Sequence, residues 1–372
     1  MTTAGVRSLG VRSLGIEEEF LLLDSSGFLV PAGDDVVAAA VSADAAGSDA
    51  FEHELKNEQV ELNTAPHTEL DDLRAELRAR RGELAAAAEQ RGAYLLALAS
   101  SPVPDRPTTT DDARYRSMMR EFGSVGRQQL TCGMHVHVGV ASRAEGVGVL
   151  DGLRAWLPLL LGLSANSPYF YGEDTGYASY RTVLWGQWPT AGPGQDFGSV
   201  AAYDSLRSDL ITSGAALDDG MLYFDARLSA HYPTVEIRVA DVCVRSTDSV
   251  LIAALARAMV EQAARQWHAG EVPRGPRVEI ARAAQWRAAR HGISGDLLLP
   301  TSGTPVPARE AFDTLLDWCE PALGDSRDFD TVRGGVAEIL TRGTGADLQR
   351  RAVAGGGGLT GLVDAVRAAM AD

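Results

Sequence analysis

The stretch Thr131–Val140, TCGMHVHVGV, constrains this chain more than any other. Cys132, Met134, Val136, Val138 and Val140 alternate with Gly133, His135, His137 and Gly139, the period of a strand. One face is apolar. The other projects two imidazoles together, and the glycines leave room beside them. Two histidines on one face of an apolar strand carry a desolvation cost, so they need partners. A pair of hydrogen-bonded core histidines would meet that need. Carboxylates at the same i, i+2 spacing on three other strand-like segments point to a shared site instead.

Those segments are Gly15–Asp24, Glu58–Thr64 and Thr234–Val242. In GIEEEFLLLD, Glu17 and Glu19 share a face opposite Ile16, Glu18 and Phe20. In the second, Gln59, Glu61 and Asn63 share a face opposite Val60 and Leu62, with Glu52, Glu54 and Glu58 just upstream. In TVEIRVADV, Glu236 and Arg238 share a face, an arrangement that a plain ion pair would also explain.

Between these strands the pattern is mostly helical. A helix is expected in part of Ala32–Ser48, and a long one from Leu70 to Ser100, ended by Pro102, Pro104 and Pro107. Further helices are expected over Asp111–Phe122, Gly146–Ser164, Asp248–Ala269, Glu279–His291, Ala308–Ala322, Asp330–Arg342 and Leu359–Ala371. The GGGG at 355–358 reads as a flexible joint. The segment Asn166–Gln195 is rich in glycine, proline and aromatics, and too long for a plain connector, so it is expected to carry binding function. Arg181 lies within it and suits a carboxylate or phosphate, or a structural stack on an aromatic. No linker divides the chain, so residues 1–372 are expected to form a single catalytic domain. Residues 1–13, which repeat VRSLG, are read as a disordered extension, and 300–372 as a helical C-terminal part.

A net charge of −16 lacks the basic footprint of a nucleic-acid binder. No apolar run is long enough to span a bilayer, and no signal-peptide pattern opens the chain. Three scattered cysteines, Cys132, Cys243 and Cys319, suggest reduced thiols and a cytoplasmic protein. Same-face Glu17, Glu19, Glu61, His135, His137, Glu236 and Arg238, with Glu54 beside them, make an oxygen-rich donor set. Such sets suit magnesium or manganese rather than zinc. An arginine beside hard cations fits phosphoryl transfer. No glycine-rich phosphate loop or kinase signature is present.

Four motifs resemble those of the glutamine-synthetase superfamily: E-x-E-F-x-L-x-D at Glu17–Asp24, Q-x-E ending at Glu61, GMH-x-H ending at His137, and E-x-R-x-x-D at Glu236–Asp241. SANSPYFYGEDTGYASYR at Ser164–Arg181 and ILTRGTGADLQRR at Ile339–Arg351 narrow the likeness. Together they resemble the carboxylate–amine ligases, or type 2 glutamate–cysteine ligases, from about Leu14 to Arg351. The resemblance implies an α+β fold: a curved, mainly antiparallel sheet with helices packed on its outer face. It also implies ATP and two or three Mg2+ or Mn2+ ions. Glu19 and Glu61, with Glu54 as a further ligand, would hold one ion; Glu17, His135 and Glu236 would hold another. His137 and Arg238 would face the ATP phosphates, and Arg181 the acyl substrate. The activity implied is an ATP-dependent carboxylate–amine ligase that works through an acyl phosphate. Its partners would be a small acid and an amine, glutamate and cysteine by default. No nucleic acid or membrane is expected, and a homodimer is compatible with the likeness. A metal-dependent hydrolase using H-x-H and a catalytically silent binder are the alternatives.

Overall fold

A computed structural model describes residues 10–43, 50–104, 106–271 and 275–371. Its centre is a seven-stranded sheet: β1 (Leu14–Leu23), β2 (Phe51–His53), β3 (Gln59–Asn63), β4 (Tyr94–Leu96), β5 (Gly133–Gly139), β8 (Ala226–Leu228) and β9 (Thr234–Asp241). The order is β2-β3-β1-β5-β9-β8, with β4 paired to β1, and every pairing is antiparallel. Two small hairpins lie apart from it, β6 (Tyr169–Phe170) with β7 (Glu173–Asp174), and β10 (Asp296–Leu298) with β11 (Pro305–Pro307). An antiparallel α+β fold was the expectation from sequence, and the structure has it.

Alternation decides the two faces. Ile16, Val60, Leu62, Met134, Val136, Val138, Val235 and Ile237 are all buried on one side. Helices cover that side. The central one, α9 (Ser246–His268), touches β1 and β5 and is itself enclosed by α2 (Leu70–Glu89), α5 (Arg143–Leu153), α11 (Ala308–Ser326) and α12 (Phe329–Arg342). Glu18 points into this layer and is fully buried. Its carboxylate takes two hydrogen bonds from Arg81 of α2, at 2.8 and 2.6 Å, and one from Ser249 at 2.5 Å. Arg81 also donates to the carbonyls of Cys243 and Val244, tying α2 and the start of α9 to β1.

Several expectations need correction. The helix from Leu70 ends at Glu89, because Gly92 adopts a left-handed φ of 72°. The apolar run that follows is buried, and its Tyr94–Leu96 joins the sheet as β4. Leucine and alanine favour helices in isolation, but strand pairing with β1 overrides that preference. The helix expected over Gly146–Ser164 is two, α5 and α6 (Leu157–Ser164), bent by 69°. Pro158 in the first turn of α6 cannot donate back into α5. The glycine run 355–358 follows α13 (Gly345–Ala352) as a π-helical turn, with Gly356 and Gly358 at positive φ, and leads into α14 (Gly358–Met370).

Residues 1–9, most of the expected loose extension, lie outside the described residues. Arg12 does not fit that expectation. It is buried, and its guanidinium pairs with Glu145 and Glu261 at 2.7 Å each. The remaining helices are α1 (Gly33–Ala43), α3 (Ala113–Phe122), α4 (Ser124–Gln128), α7 (Arg181–Trp185), α8 (Val200–Thr212) and α10 (Val278–His291). No single helix among the described residues is long and apolar enough to cross a membrane.

The Glu18–Arg81 pair generates a stability prediction. Arg81→Met leaves a carboxylate buried with only Ser249 as partner, and should destabilise the fold by about 3–5 kcal/mol. Adding Glu18→Leu should recover much of that loss. Urea unfolding of both variants checks it; a loss below about 1 kcal/mol for Arg81→Met would contradict it.

Candidate active site

The face of the sheet opposite the helices carries the charged residues, and strand register brings them together. Glu19 of β1 stands opposite Glu61 of β3, and Glu61 opposite Glu52 of β2. Glu17 stands opposite His135, and His137 opposite Glu236. Three groups of side chains result, each with donor atoms within 4.8 Å of one another: Glu19, Glu54 and Glu61; Glu17, Glu61 and His135; and Glu17, His137 and Glu236.

The grouping differs from the expected one at the histidines, His135 falling in a third group with Glu17 and Glu61. His137, not His135, joins Glu17 and Glu236. The regular register of β5 with β9 sets His137 opposite Glu236, and beyond it β9 bulges: between the pairs Val136–Ile237 and Met134–Ala240, two β9 residues oppose His135 alone. Arg238 is one of them. Its backbone N–H turns to the carbonyl of Asp225, and its guanidinium reaches Glu236 and lies 3.3 Å from His135 Nδ1.

The electrostatics follow from this crowding. Burial, then the charges of Glu17, Glu54 and Glu19, push Glu61 well above the usual carboxylate range. Burial and neighbouring Glu19 push Glu54 up to about 7. Burial acts on Glu17 in the same direction, but contacts with His135 and His137, both at 2.9 Å, hold it well below that range. Burial is likewise outweighed at Glu236, held at about 2 by Arg238 and Arg227. The sheet face is therefore split, with cation-paired carboxylates held low towards β9 and Glu54 and Glu61 raised by burial and crowding towards β2.

Arg181 does not take the place expected of it. Its guanidinium is buried beside Gly133, 3.9 Å from Asp241 and 3.3 Å from the carbonyl of Arg238, and it does not line the cleft described below. The reason is Asp241, a fully buried carboxylate that also accepts from Asn166 N, Ser167 Oγ and Ser179 Oγ, each at 2.8 Å. Asp241 thus fastens the aromatic loop to the sheet. Gln349 of α13 donates to Asn166 from the other side, so the late motif serves the same anchor. Glu58 also leaves the site, accepting from the backbone N–H of Thr108.

Above the charged face lies a cleft of about 610 Å³, a size ordinary for small-molecule sites. Among its described lining residues, seven carboxylates outnumber three arginines: Glu17, Glu19, Glu52, Glu54, Glu61, Asp218 and Asp219 against Arg114, Arg227 and Arg238. Arg227 grips Glu236 at 2.7 and 3.1 Å, and Arg114 grips Asp218 at 2.6 and 2.9 Å. Sequence reading named the aromatic loop that carries Trp185 and Trp188 without singling those two out, and it missed Arg114, Arg227 and Tyr223. Only Arg227 left a trace, at i−9 from Glu236 across the β8–β9 turn; the others sit on a helix or irregular chain, where no alternation marks them. The chain's one lysine, Lys56, is also buried here. It donates to Thr109 Oγ1 at 3.2 Å and the Arg127 carbonyl at 3.1 Å, holding α4 to the β2–β3 turn that follows Glu54.

Comparison with known proteins agrees with this architecture. The model of glutamate–cysteine ligase family 2 (GCS2) matches residues 13–365. A relative in Frankia alni, provisionally named glutamate–cysteine ligase 2-2, is 50% identical over 369 residues and covers 96% of each chain. Another in Streptomyces coelicolor, provisionally named glutamate–cysteine ligase 2, is 43% identical over 355 residues, 95% of this chain and 98% of its own. Among solved structures, glutamate–cysteine ligase from Francisella tularensis in complex with AMP superposes with a TM-score of 0.68 at 15% identity, over 96% of this chain and 88% of that one. A bifunctional glutathione synthetase from Pasteurella multocida gives 0.70 at 16% identity, over 96% and 52%; these two likenesses show the fold. The class is thus an ATP-dependent ligase. Within it, the chain belongs to glutamate–cysteine ligase family 2.

The raised carboxylates set a pH dependence. A carboxylate raised in the folded state binds its proton more tightly there than in the unfolded chain, so its contribution to stability falls as pH rises. For Glu54 the window runs from 4.5 to about 7. Without divalent cations, the melting temperature should drop across that window, and the drop should shrink in Glu54→Gln. Millimolar Mn2+ should restore the lost stability at pH 7. Thermal scans against pH check this; a melting temperature at pH 7 that Mn2+ leaves unmoved would contradict it.

Proposed function

We propose that this protein joins the γ-carboxylate of glutamate, or of a similar acid, to an amine at the expense of ATP. The observation that carries the reading is the run of cation-binding carboxylates beside Arg238 on one sheet face, in a chain of this family. A carboxylate oxygen attacks the γ-phosphorus of ATP, the bond to the β-phosphate breaks, and ADP leaves. The amine nitrogen then attacks the acyl carbon, and phosphate departs. Cysteine is the amine that the relatives' names give.

The donor chemistry fits Mg2+ or Mn2+. The groups are mostly carboxylate oxygens, and the Nε2 atom of His135 is buried without a hydrogen-bond partner. Glu19, Glu54 and Glu61 would hold one ion, and Glu17, His137 and Glu236 another, with His135 between them. Bound there, such ions supply charge neutralisation to the phosphate and carboxylate oxygens. The protein's share is alignment. Arg238 is fixed by Glu236 and lies over Trp185, its Nε still unpaired, at the end where phosphate charge develops. Arg227 keeps Glu236 ionised. Asp241 and Arg181 act at one remove, holding the loop that carries Trp185. A cytoplasmic setting accompanies this reading, supported by three buried unpaired cysteines.

Hydroxylamine tests the intermediate, because it traps acyl phosphates. Enzyme, ATP, Mg2+ and glutamate should give glutamyl hydroxamate with ADP, and Arg238→Ala should slow this by roughly a hundredfold or more. AMP and pyrophosphate as products would sink the mechanism. Full activity in Glu61→Ala would show the carboxylate run to be structural.

A further inference from the structure

The three described arginines of the cleft are not equally occupied. Arg227 gives Nε and Nη2 to Glu236, and Nη1 to the carbonyls of Asp219, Gly220 and Leu222. Arg238 is tied to Glu236 at the phosphate end. Arg114 differs. Asp218 takes its Nε and Nη2 at 2.6 and 2.9 Å, and no hydrogen bond among the described residues engages its Nη1. Both side chains of this pair are 40% exposed, and both line the cleft.

The pair is held in place from either side. Asp112 caps α3 by accepting from the backbone N–H groups of Arg114 and Tyr115, which fixes the arginine in the first turn. Across from it, Arg227 braces the turn that follows Asp218. Arg114 in turn holds the Asp218 carboxyl below its usual range, so both are charged at neutral pH. A run of ring contacts joins the pair to the phosphate end. Arg238 lies over Trp185, Trp185 packs on Tyr223 with ring centres 4.6 Å apart, and the Tyr223 hydroxyl feels the charges of both Arg114 and Arg238.

Adjacent fixed charges of opposite sign complement the head of an α-amino acid. A guanidinium has five N–H donors, of which Asp218 occupies two, and the Nη1 side suits a second carboxylate. A carboxylate has about four acceptor positions, so Asp218 can also take an ammonium. We propose that Arg114 and Asp218 bind the unreacted end of the acid substrate, Arg114 taking its α-carboxylate and Asp218 its α-ammonium. The inference rests on the ligase reading above and makes the acid an α-amino dicarboxylate. The role expected of Arg181 passes to an arginine on α3. The head belongs to the acid and not to the incoming amine, because an amine held as ammonium on Asp218 has no lone pair with which to attack the acyl carbon.

Hydroxylamine isolates the acid site in a test, since it carries no carboxylate of its own. With ATP and Mg2+, hydroxamate formation is compared for glutamate, for 4-aminobutyrate, which lacks the α-carboxylate, and for glutarate, which lacks the α-ammonium. The wild type should favour glutamate over each by about tenfold or more in kcat/KM, the scale of one charged group left unpaired. Arg114→Gln should lower the ratio of glutamate to 4-aminobutyrate by about tenfold, and Asp218→Asn the ratio of glutamate to glutarate by about as much. A ratio cancels any loss of folded enzyme or of ATP turnover. Either variant leaving its ratio within about twofold of wild type, the range of an ordinary surface change, would overturn the inference and leave the ligase reading intact. So would a wild type that takes 4-aminobutyrate as well as glutamate. No hydroxamate and no ADP with any acid would overturn both.

Discussion

Glu61 faces Glu19 on one side and Glu52 on the other, with Glu54 within ligand distance. Like charges placed directly across strands repel, and burial makes the repulsion worse. The nearest arginines, Arg227 and Arg238, both grip Glu236. The rest of the fold holds the corner in place despite its cost. The apolar reverse of the sheet is locked by the helical layer around α9, and the strands cannot slip without moving every charged side chain to the wrong face. What the arrangement gains is a surface where two anions, a carboxylate and a polyphosphate, can be brought together once hard cations are present.

The second layer of organisation is the Asp241 anchor. A fully buried carboxylate gathers three hydrogen bonds from Asn166, Ser167 and Ser179 and the nearby charge of Arg181. Through these it fixes the segment leading to Trp185 and Trp188. The motifs at residues 164–181 and 339–351 therefore serve architecture first. Arg181 illustrates the difference. An arginine among aromatics in a long loop has the same sequence signature whether it meets a substrate or braces the loop, and only its burial under the cleft floor separates the two.

Most of the charged face was legible in the sequence because a strand has a period of two. That period alone put Glu17 with Glu19, His135 with His137, and Glu236 with Arg238. The bulge in β9 was not legible, since one extra residue leaves no mark on the alternation, and neither was the strand register that sets His137 rather than His135 opposite Glu236. The partner of Glu18 was hidden because Arg81 is 63 residues away on a helix with many arginines. β4 was misread because its leucines and alanines carry a helical preference that only pairing with β1 overturns. The aromatic residues of the cleft were legible only in part, as the aromatic loop 166–195 that holds Trp185 and Trp188; the others come from α3 and the approach to β8, and no local pattern unites them with the loop.

The account stands on a carboxylate oxygen attacking the γ-phosphate of ATP on this face. That oxygen ends in the released phosphate, so its origin can be read directly. With glutamate labelled by 18O in the γ-carboxylate, and with unlabelled ATP and water, the account predicts phosphate carrying one 18O atom per molecule by mass spectrometry. Unlabelled phosphate alongside labelled amide would contradict it, because the acid would then never have been phosphorylated.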